Sequence, residues 1–206
     1  MALGWTPVGI DSPLPVGTPV KPDERLSWPK TIGVGAQHVV AMFGATFVFP
    51  IIMGLDPNLR PLLVPVASYR LWIDRWASLA DIVRLSEDDL DLLWPGWTPE
   101  QAALHLHACG VPLAVVSLGG DGAFASLRGE QLRVPIAPTT LVDTVGAGDS
   151  FHGGLLHHLA EAGQLGGRLD TLTVDGLRDA LTFASRVSAI NCSRGGANPP
   201  WASELA

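Results

Sequence analysis

Basic side chains and cysteines are both scarce in this sequence. Its 206 residues include 13 Lys and Arg against 20 Asp and Glu, which gives a formal net charge of −7. A surface that binds nucleic acid must be basic in order to contact phosphates, so the composition argues against a nucleic-acid partner. The only cysteines are Cys109 and Cys192, and their spacing matches no disulfide framework. Such sparse cysteine indicates a reducing, cytoplasmic location.

Charge is absent altogether from residues 31–55, which read TIGVGAQHVVAMFGATFVFPIIMGL. As a helix this segment would be about 37 Å long, which is enough to cross a bilayer. We therefore predict an apolar helix over 31–55 that contacts a membrane, with a buried core segment as the alternative. The six prolines of residues 1–30 fix backbone angles and remove donors, so a disordered tail is expected there.

After residue 56 the sequence alternates between two kinds of apolar pattern. Apolar residues at helical spacing and the capping box Thr98-Pro99-Glu100-Gln101 predict helices, whereas short continuous apolar runs predict buried strands. Alternation of strands and helices is typical of an α/β fold. The predicted helices cover 68–79, 98–110, 148–162 and 175–191, and the predicted strands cover 81–85, 113–118, 123–127 and 132–134.

Residues 143–149, DTVGAGD, place three small residues before an acid at the start of a predicted helix. Small residues let a backbone approach a ligand closely, and free N–H groups at a helix N-terminus favour an anion such as a phosphoryl group. Asp149 would then lie beside the phosphate, where it can accept a proton from an attacking hydroxyl. A glycine turn followed by a helix acid is the alternative, but the full string DTVGAGDSF is far more specific than a glycine run.

The string VDTVGAGDSF over residues 142–151 resembles the phosphate loop of the ribokinase-type (PfkB) carbohydrate kinases. Residues 56–206 resemble the C-terminal, ATP-binding half of their fructokinase-like members. The resemblance implies an α/β fold, here a partial ribokinase-like three-layer sandwich, that phosphorylates a small sugar with ATP, Mg²⁺ and K⁺. By the family pattern Asp149 is the catalytic base, and Asp143 helps to hold the monovalent cation. The anion hole is formed by the backbone N–H groups of Gly146, Ala147 and Gly148.

Other segments match the family in the same order. Residues 56–61, DPNLRP, resemble its DPNxRP segment, and Ser86-x-x-Asp89 stands where the family has Asn-x-x-Glu near Mg²⁺. The resemblance implies that Asp89 contacts Mg²⁺ through water, and a solvated helix N-terminus is the alternative. The residues implied in ATP binding are Ser117, Gly119, Gly122 and Asn191. Those implied in binding the monovalent cation through carbonyl oxygens are Asn191, Arg194 and Gly196.

Residues 28–57 resemble a second family, the uracil–xanthine permeases of the nucleobase:cation symporter family, at their first transmembrane segment. The residues that carry this resemblance are Gln37, His38, Ala41, Met42, Phe43, Gly44, Ala45, Pro50 and Gly54-Leu55-Asp56-Pro57. Transport requires a midplane site between several helices, so one helix excludes a permease function. Asp56-Pro57 fits both families, which indicates a fusion of two reading frames at this string.

The half of the kinase family that recognises the sugar has no counterpart before residue 56. We therefore expect a truncated enzyme that needs a partner or a second copy in a homodimer. The alternative is an inactive nucleotide-binding remnant.

Two histidine pairs, His105 with His107 and His157 with His158, could suggest a metal site. Neither pair supplies a third ligand or an i, i+4 arrangement on one helix face. Packing and surface roles are therefore favoured for these histidines.

Overall fold

The computed structural model describes residues 9–10, 25–26, 54–57, 59, 65–165 and 167–205. The chain divides into two compact units, residues 1–50 and residues 51–206. In the first unit, strands β1 (Gly9–Ile10) and β2 (Arg25–Leu26) pair in parallel. Two short pieces of the segment predicted as a disordered tail are therefore extended and paired with each other.

The apolar helix predicted over 31–55 lies outside the described residues except at its end. There Gly54–Leu55 form strand β3, so the helix prediction is wrong for these two residues. They pair in parallel with Ile82 and Val83, which gives their backbone groups partners in a sheet instead of a helix. Within the described ranges, no helix has both the length and the hydrophobicity needed to cross a bilayer.

The second unit contains the remaining helices and strands. The other strands are β4 (Ile82–Ser86), β5 (Leu113–Ser117), β6 (Ala123–Leu127) and β7 (Glu130–Val134). The helices are α1 (Val66–Ala77), α2 (Glu87–Leu93), α3 (Pro99–Ala108), α4 (Ala147–Glu161) and α5 (Val174–Cys192). The bounds of β4 to β7 and of α1, α3, α4 and α5 agree closely with the predicted elements, whereas α2 was not predicted.

Strands β3 to β7 form one sheet in the order of the sequence. Strands β3, β4 and β5 are parallel, whereas β6 and β7 continue the sheet in antiparallel fashion. Strand β5 was predicted as a strand of a parallel sheet because its apolar run is continuous. It is buried on both faces, but only its pairing with β4 is parallel.

The sheet separates two hydrophobic cores, because successive strand residues point to opposite faces. Along β4, Ile82 belongs to the core that includes α4 and α5, while Val83 belongs to the core that includes α1, α2 and α3. Helices thus cover both faces of the sheet. This arrangement confirms the predicted fold class, α/β with three layers.

Side-chain caps fix where three of the helices, α2, α3 and α5, begin. At α3, the Oγ1 of Thr98 accepts a hydrogen bond from the Gln101 N–H at 3.3 Å, and Gln101 Oε1 accepts one from the Thr98 N–H at 2.8 Å. Each bond satisfies a donor that the start of a helix leaves unpaired. The capping box predicted at this position is therefore confirmed.

The turn between β5 and β6 depends on Gly122, which has a φ of +88°, and a Cβ there would lie 2.1 Å from the carbonyl oxygen of Val134. Gly122→Ala should lower the free energy of unfolding by about 1–3 kcal/mol, because backbone strain and a steric clash both oppose it. Gly120→Ala is the matched control, since nothing lies within 4 Å of its added Cβ. Denaturant titration measures the difference, and equal stability of the two variants would contradict this account.

Candidate active site

A cleft of about 750 Å³ opens at the carboxyl ends of β4 and β5, beside the N-terminus of α4. Ligands of open α/β sheets bind at this edge, and the volume suits a small-molecule site. The last residues of the two strands, Ser86 and Ser117, both line the cleft. Other predicted site residues that line it are Gly119, Gly122, Ala147 and Gly148.

The first turn of α4 forms the floor of the predicted anion hole. Gly146 caps the helix in the left-handed region at φ 75°, and a Cβ there would lie 2.8 Å from the Cβ of Ala197. The Ala147 N–H, one of the three predicted donors, bonds the Thr144 carbonyl at 3.1 Å. Within the described ranges, the N–H groups of Gly146, Gly148 and Asp149 have no such acceptor, so two of the three predicted donors are left for an anion, together with Asp149.

Asp149, the predicted catalytic base, lies in this first turn and is exposed. Its carboxylate makes no hydrogen bond or ion pair with the part of the chain that the structure describes. A substrate hydroxyl therefore has free access to both carboxylate oxygens.

Two polar side chains, Asn191 and Asp143, connect the phosphate loop to the end of α5 and the loop after it. Asn191 is fully buried, donates from Nδ2 to the Val145 carbonyl at 2.8 Å and accepts at Oδ1 from the Asn198 N–H at 2.7 Å. Asp143 accepts from the Val145 N–H at 3.0 Å and from the Gly196 N–H at 2.8 Å. These two N–H groups hold the pKa of Asp143 below its usual value. Asn191, predicted to bind ATP, thus lies beneath the loop instead of lining the cleft.

The residues predicted to hold a monovalent cation gather in the loop after α5. The Asn191 carbonyl accepts the Arg194 N–H at 3.1 Å, and the Arg194 side chain pairs with Glu204. Gly196 has a φ of +70° and donates its N–H to Asp143. Asp143 thus contacts the backbone at Gly196, one of the predicted cation residues, and cation binding there stays a prediction.

Asp89, predicted to contact Mg²⁺ through water, is buried at the start of α2. Its Oδ1 accepts the Leu59 N–H at 2.8 Å, and its Oδ2 accepts from both the N–H and the Oγ of Ser86. Ser86 Oγ in turn accepts the Asp89 N–H, which completes a capping box. Glu87 and Asp88 line the cleft instead, so they are the carboxylates of this turn that a metal ion would meet.

Arg84 is a site residue that the sequence analysis missed. Its guanidinium is buried, donates from Nη1 to Asp56 Oδ2 at 2.9 Å and donates from Nη2 to Ser117 Oγ. A Cβ on Gly148 would lie 2.9 Å from Nη1, so the guanidinium lies against the first turn of α4. A fixed positive charge therefore lies next to the free N–H groups. A cation inside the apolar strand IVRLS was the signal available in the sequence.

His152, one turn further along α4, completes a buried polar cluster with Asp56 and Arg84. Among the described residues, three atoms of this cluster lack a hydrogen-bond partner, namely Asp56 Oδ1, Arg84 Nε and His152 Nδ1. Buried polar atoms of this kind are paired in most proteins, by water or a ligand where not by protein. Burial lowers the pKa of His152 below its usual 6.5. The charge of Arg84 also lowers this pKa, whereas the charges of Asp56 and Asp149 raise it.

Comparison with known proteins places this site in a family. Residues 53–204 match the pfkB family carbohydrate kinase. The chain belongs to this family. The site therefore lies within a pfkB kinase domain that includes every described residue of the cleft.

This chain matches only part of the length of its pfkB relatives and of the related solved structures. A fructokinase of Rhizobium leguminosarum bv. trifolii is 39% identical over 111 residues, which are 52% of this chain and 33% of the relative. Aminoimidazole riboside kinase from Salmonella enterica, with aminoimidazole riboside and an ATP analogue, has a TM-score of 0.64 at 30% identity over 74% of this chain and 50% of its own. The chain thus spans about half the length, or less, of the proteins it matches.

A fructokinase from Vibrio cholerae O395 was solved with fructose, ADP and a potassium ion. It has a TM-score of 0.61 at 28% identity and covers 71% of this chain and 46% of its own. These pfkB relatives bind a nucleotide together with a sugar or a riboside.

A separate match supports the permease-like segment. RutG, a protein of Escherichia coli (strain K12) named as a pyrimidine permease, is 61% identical over 44 residues. The match covers 21% of this chain and 10% of RutG. The predicted resemblance to a nucleobase permease is therefore confirmed, and it is limited to a short segment.

The buried position of His152 predicts an acid-sensitive fold. Because its folded-state pKa lies below 6.5, the unfolded chain binds a proton more readily than the folded one, and stability falls as the pH drops below about 6.5. His152→Gln removes this titration, so its free energy of unfolding should fall less than that of the parent between about pH 7.5 and pH 5.5. His157→Gln, at an exposed position of the same helix, is the control. Equal pH slopes for the parent and His152→Gln would contradict the assignment.

Proposed function

We propose that this chain is the ATP-binding, phosphoryl-transferring part of a fructokinase-like carbohydrate kinase. The observation that carries the proposal is the first turn of α4, where free N–H groups and a buried guanidinium lie at the cleft and the exposed carboxylate of Asp149 follows directly after Gly148, which lines it. The N–H groups of Gly148 and Asp149 and the charge of Arg84 favour an anion. Asp149 supplies a base beside that anion.

The cleft also offers an apolar surface on which a purine can lie. Ile136 and Leu141 are exposed large side chains that line it, and Cys192 lines it from the end of α5. Nucleotide sites combine such apolar walls with a few polar groups that fix orientation. The distribution of apolar and cationic groups supports binding of ATP with its base on this wall and its phosphates at α4.

The residues around the cleft fit the metal ions that the family implies. Glu87 and Asp88 present hard oxygen ligands to the cleft, and Mg²⁺ is held through one or two carboxylates and substrate phosphates in such sites. Asp143 and the carbonyls of the loop after α5 offer oxygens for K⁺. When bound, Mg²⁺ would neutralise charge on the β- and γ-phosphate oxygens.

In the proposed reaction Asp149 accepts the proton of a sugar hydroxyl as the hydroxyl oxygen bonds to the γ-phosphorus. The bond from the γ-phosphorus to the oxygen of ADP breaks, and ADP departs. The N–H groups of Gly148 and Asp149 stabilise the charge on the transferring group. The Arg84 guanidinium, held by Asp56 and Ser117, is already oriented toward this turn and needs no rearrangement.

The partial length of the match supports a second candidate, an inactive nucleotide-binding remnant of a permease–kinase fusion. Phosphoryl transfer depends on positioning both reactants, and the pfkB match begins only at residue 53. The first candidate therefore includes a sugar site completed by another chain, either a partner or a second copy in a homodimer. We also propose that residues 31–53 are the part of the chain that contacts a membrane, since Gly54–Leu55 belong to the sheet.

Sugar-dependent release of ADP tests the first candidate against the second. With ATP, Mg²⁺, K⁺ and a panel that includes fructose and ribose, we expect ADP release that Asp149→Asn lowers by about 10² to 10⁴-fold, because the base is lost. ATP should raise the melting temperature of both proteins equally, since Asp149 is not needed for binding.

No sugar-dependent release together with a retained ATP-induced shift would support the remnant. Activity that depends on the square of the protein concentration would support completion of the site in a dimer. The absence of both ADP release and any shift with ATP would contradict both candidates.

Arg84→Gln tests the proposed role of the buried guanidinium. A charge-assisted hydrogen bond contributes about 1.5–3 kcal/mol, so we expect ATP binding to weaken by about tenfold to hundredfold. Binding of adenosine, which has no phosphate, should change little, and this contrast separates a phosphate contact from a general loss of structure. Arg133→Gln removes an exposed arginine paired with Glu100 and serves as the control in calorimetric titration. An equal loss for ATP and adenosine would contradict a phosphate contact.

A further inference from the structure

A cluster of metal-ligating side chains lies outside the candidate active site. Asp74 on α1 and His105 on α3 meet Cys109, the C-cap of α3, with one potential ligand atom of each within 4.8 Å of the others. His105 Nε2 lies 2.8 Å from Asp74 Oδ1 and 3.9 Å from Cys109 Sγ. The spacing of the histidines from one another does not reveal this set. The i, i+4 partner of His105 is a cysteine, and the third group comes from another helix.

The spacing of these atoms is close to that of a tetrahedral zinc site. Zinc bonds of about 2.0–2.1 Å to nitrogen and oxygen and about 2.3 Å to sulfur imply separations of about 3.3 Å for N to O and about 3.6 Å for S to N. The present hydrogen bond from His105 to Asp74 would open by about half an ångström. Asp74 has 58% of its side chain exposed, so it has room to move by that amount.

We propose that Asp74, His105 and Cys109 form a binding site for one thiophilic divalent cation of the Zn²⁺ class. A thiolate, an imidazole and a carboxylate match the ligands that Zn²⁺ takes, whereas Mg²⁺ and Ca²⁺ prefer sites made of oxygen alone. The three protein ligands leave a fourth position for water, which can enter because His105 and Asp74 are partly exposed. On binding, the ion takes the place of the hydrogen between His105 Nε2 and Asp74, the neutral imidazole carries its proton at Nδ1, and the thiol proton of Cys109 is released to solvent.

Two tryptophans give the site a rigid wall. Trp94 and Trp97 stack on each other with centroids 5.2 Å apart, and both meet the His105 ring edge to face, at 5.1 and 5.6 Å. Packing of this kind fixes the orientation of a ligating imidazole, as neighbouring groups do around metal sites generally. Their indoles also make the site visible, since an ion at His105 would change tryptophan emission.

The proposed metal site lies on one face of the sheet, and the helix that carries Asp149 lies on the other. Helices α1 and α3 belong to one hydrophobic core, and α4, which carries Asp149, belongs to the other. A bound ion would connect α1 to the end of α3 and stabilise the fold by mass action. This inference therefore does not rest on kinase activity, and it can hold for either candidate function.

Titration of the untagged full chain with Co²⁺, followed by displacement with Zn²⁺, tests the proposal. We expect one equivalent of Co²⁺ to give tetrahedral visible bands and a thiolate-to-cobalt charge-transfer band in the near ultraviolet, with a change in tryptophan emission. Cys109→Ser should abolish the charge-transfer band, and His105→Gln and Asp74→Asn should each weaken binding at least tenfold. His157→Gln, at an exposed histidine of α4, should bind as the parent does.

Circular dichroism of each variant separates loss of a ligand from loss of the fold. Absence of a charge-transfer band in the folded parent would overturn the proposal. So would a band that persists in folded Cys109→Ser, or Zn²⁺ binding that is equal in the parent and in Asp74→Asn and His105→Gln. If Cys109→Ser does not fold, the two other variants and the parent's band decide the question alone.

Discussion

The buried guanidinium of Arg84 joins three segments that are far apart in the sequence. It pairs with Asp56 just after β3, bonds Ser117 at the end of β5 and lies against Gly148 in the first turn of α4. A buried charge is tolerated only when it is paired, so this contact constrains where each segment can lie. Position 148 favours glycine, because a Cβ there would lie 2.9 and 3.0 Å from the two terminal guanidinium nitrogens. The close approach of the first turn of α4 to the ends of β4 and β5 is thus a contact with this side chain.

A second constraint holds the phosphate loop in shape from the opposite side. Asn191 and Asp143 connect the loop to the end of α5 and the segment after it by two hydrogen bonds to backbone groups, and each side chain makes a further bond within its own segment. These bonds keep the residues before α4 in place without using the N–H groups of the helix start. The loop can therefore present donors to an anion with little reorganisation, which is the condition under which such donors stabilise a transition state best.

Local patterns in the sequence predicted most helices and strands well, because these elements depend on residues that are close together in the sequence. The Thr98–Gln101 capping box and the apolar runs of β4 and β5 are decided by residues within a few positions of one another. The helix predicted over 31–55 is wrong at Gly54–Leu55, because the pairing of these residues with β4 is a tertiary contact that composition does not reveal. An apolar run likewise does not indicate that β6 pairs with β5 in antiparallel fashion.

The site shows the same division between local and tertiary information. The string from Asp143 to Asp149 pointed to a phosphate loop, and its residues do surround the N-terminus of α4. The orientation of Asp89 could not be deduced, since its partner Leu59 lies 30 positions away in the sequence. Arg84 and His152 carry no motif, and only the fold shows that their polar atoms share one buried cluster with Asp56.

Binding a nucleotide and transferring its phosphate impose separate demands on this chain. The groups that would hold phosphates are fixed by two sets of contacts. One set joins Asp56, Arg84 and Ser117, the other set is made by Asp143 and Asn191, and all five residues lie within the pfkB match. Asp149, by contrast, is exposed and bonds nothing in the described ranges, so it needs a hydroxyl that something else holds in line. Proximity and orientation account for most of the rate in phosphoryl transfer. A domain can therefore retain the whole of its phosphate site and still depend on another chain for turnover.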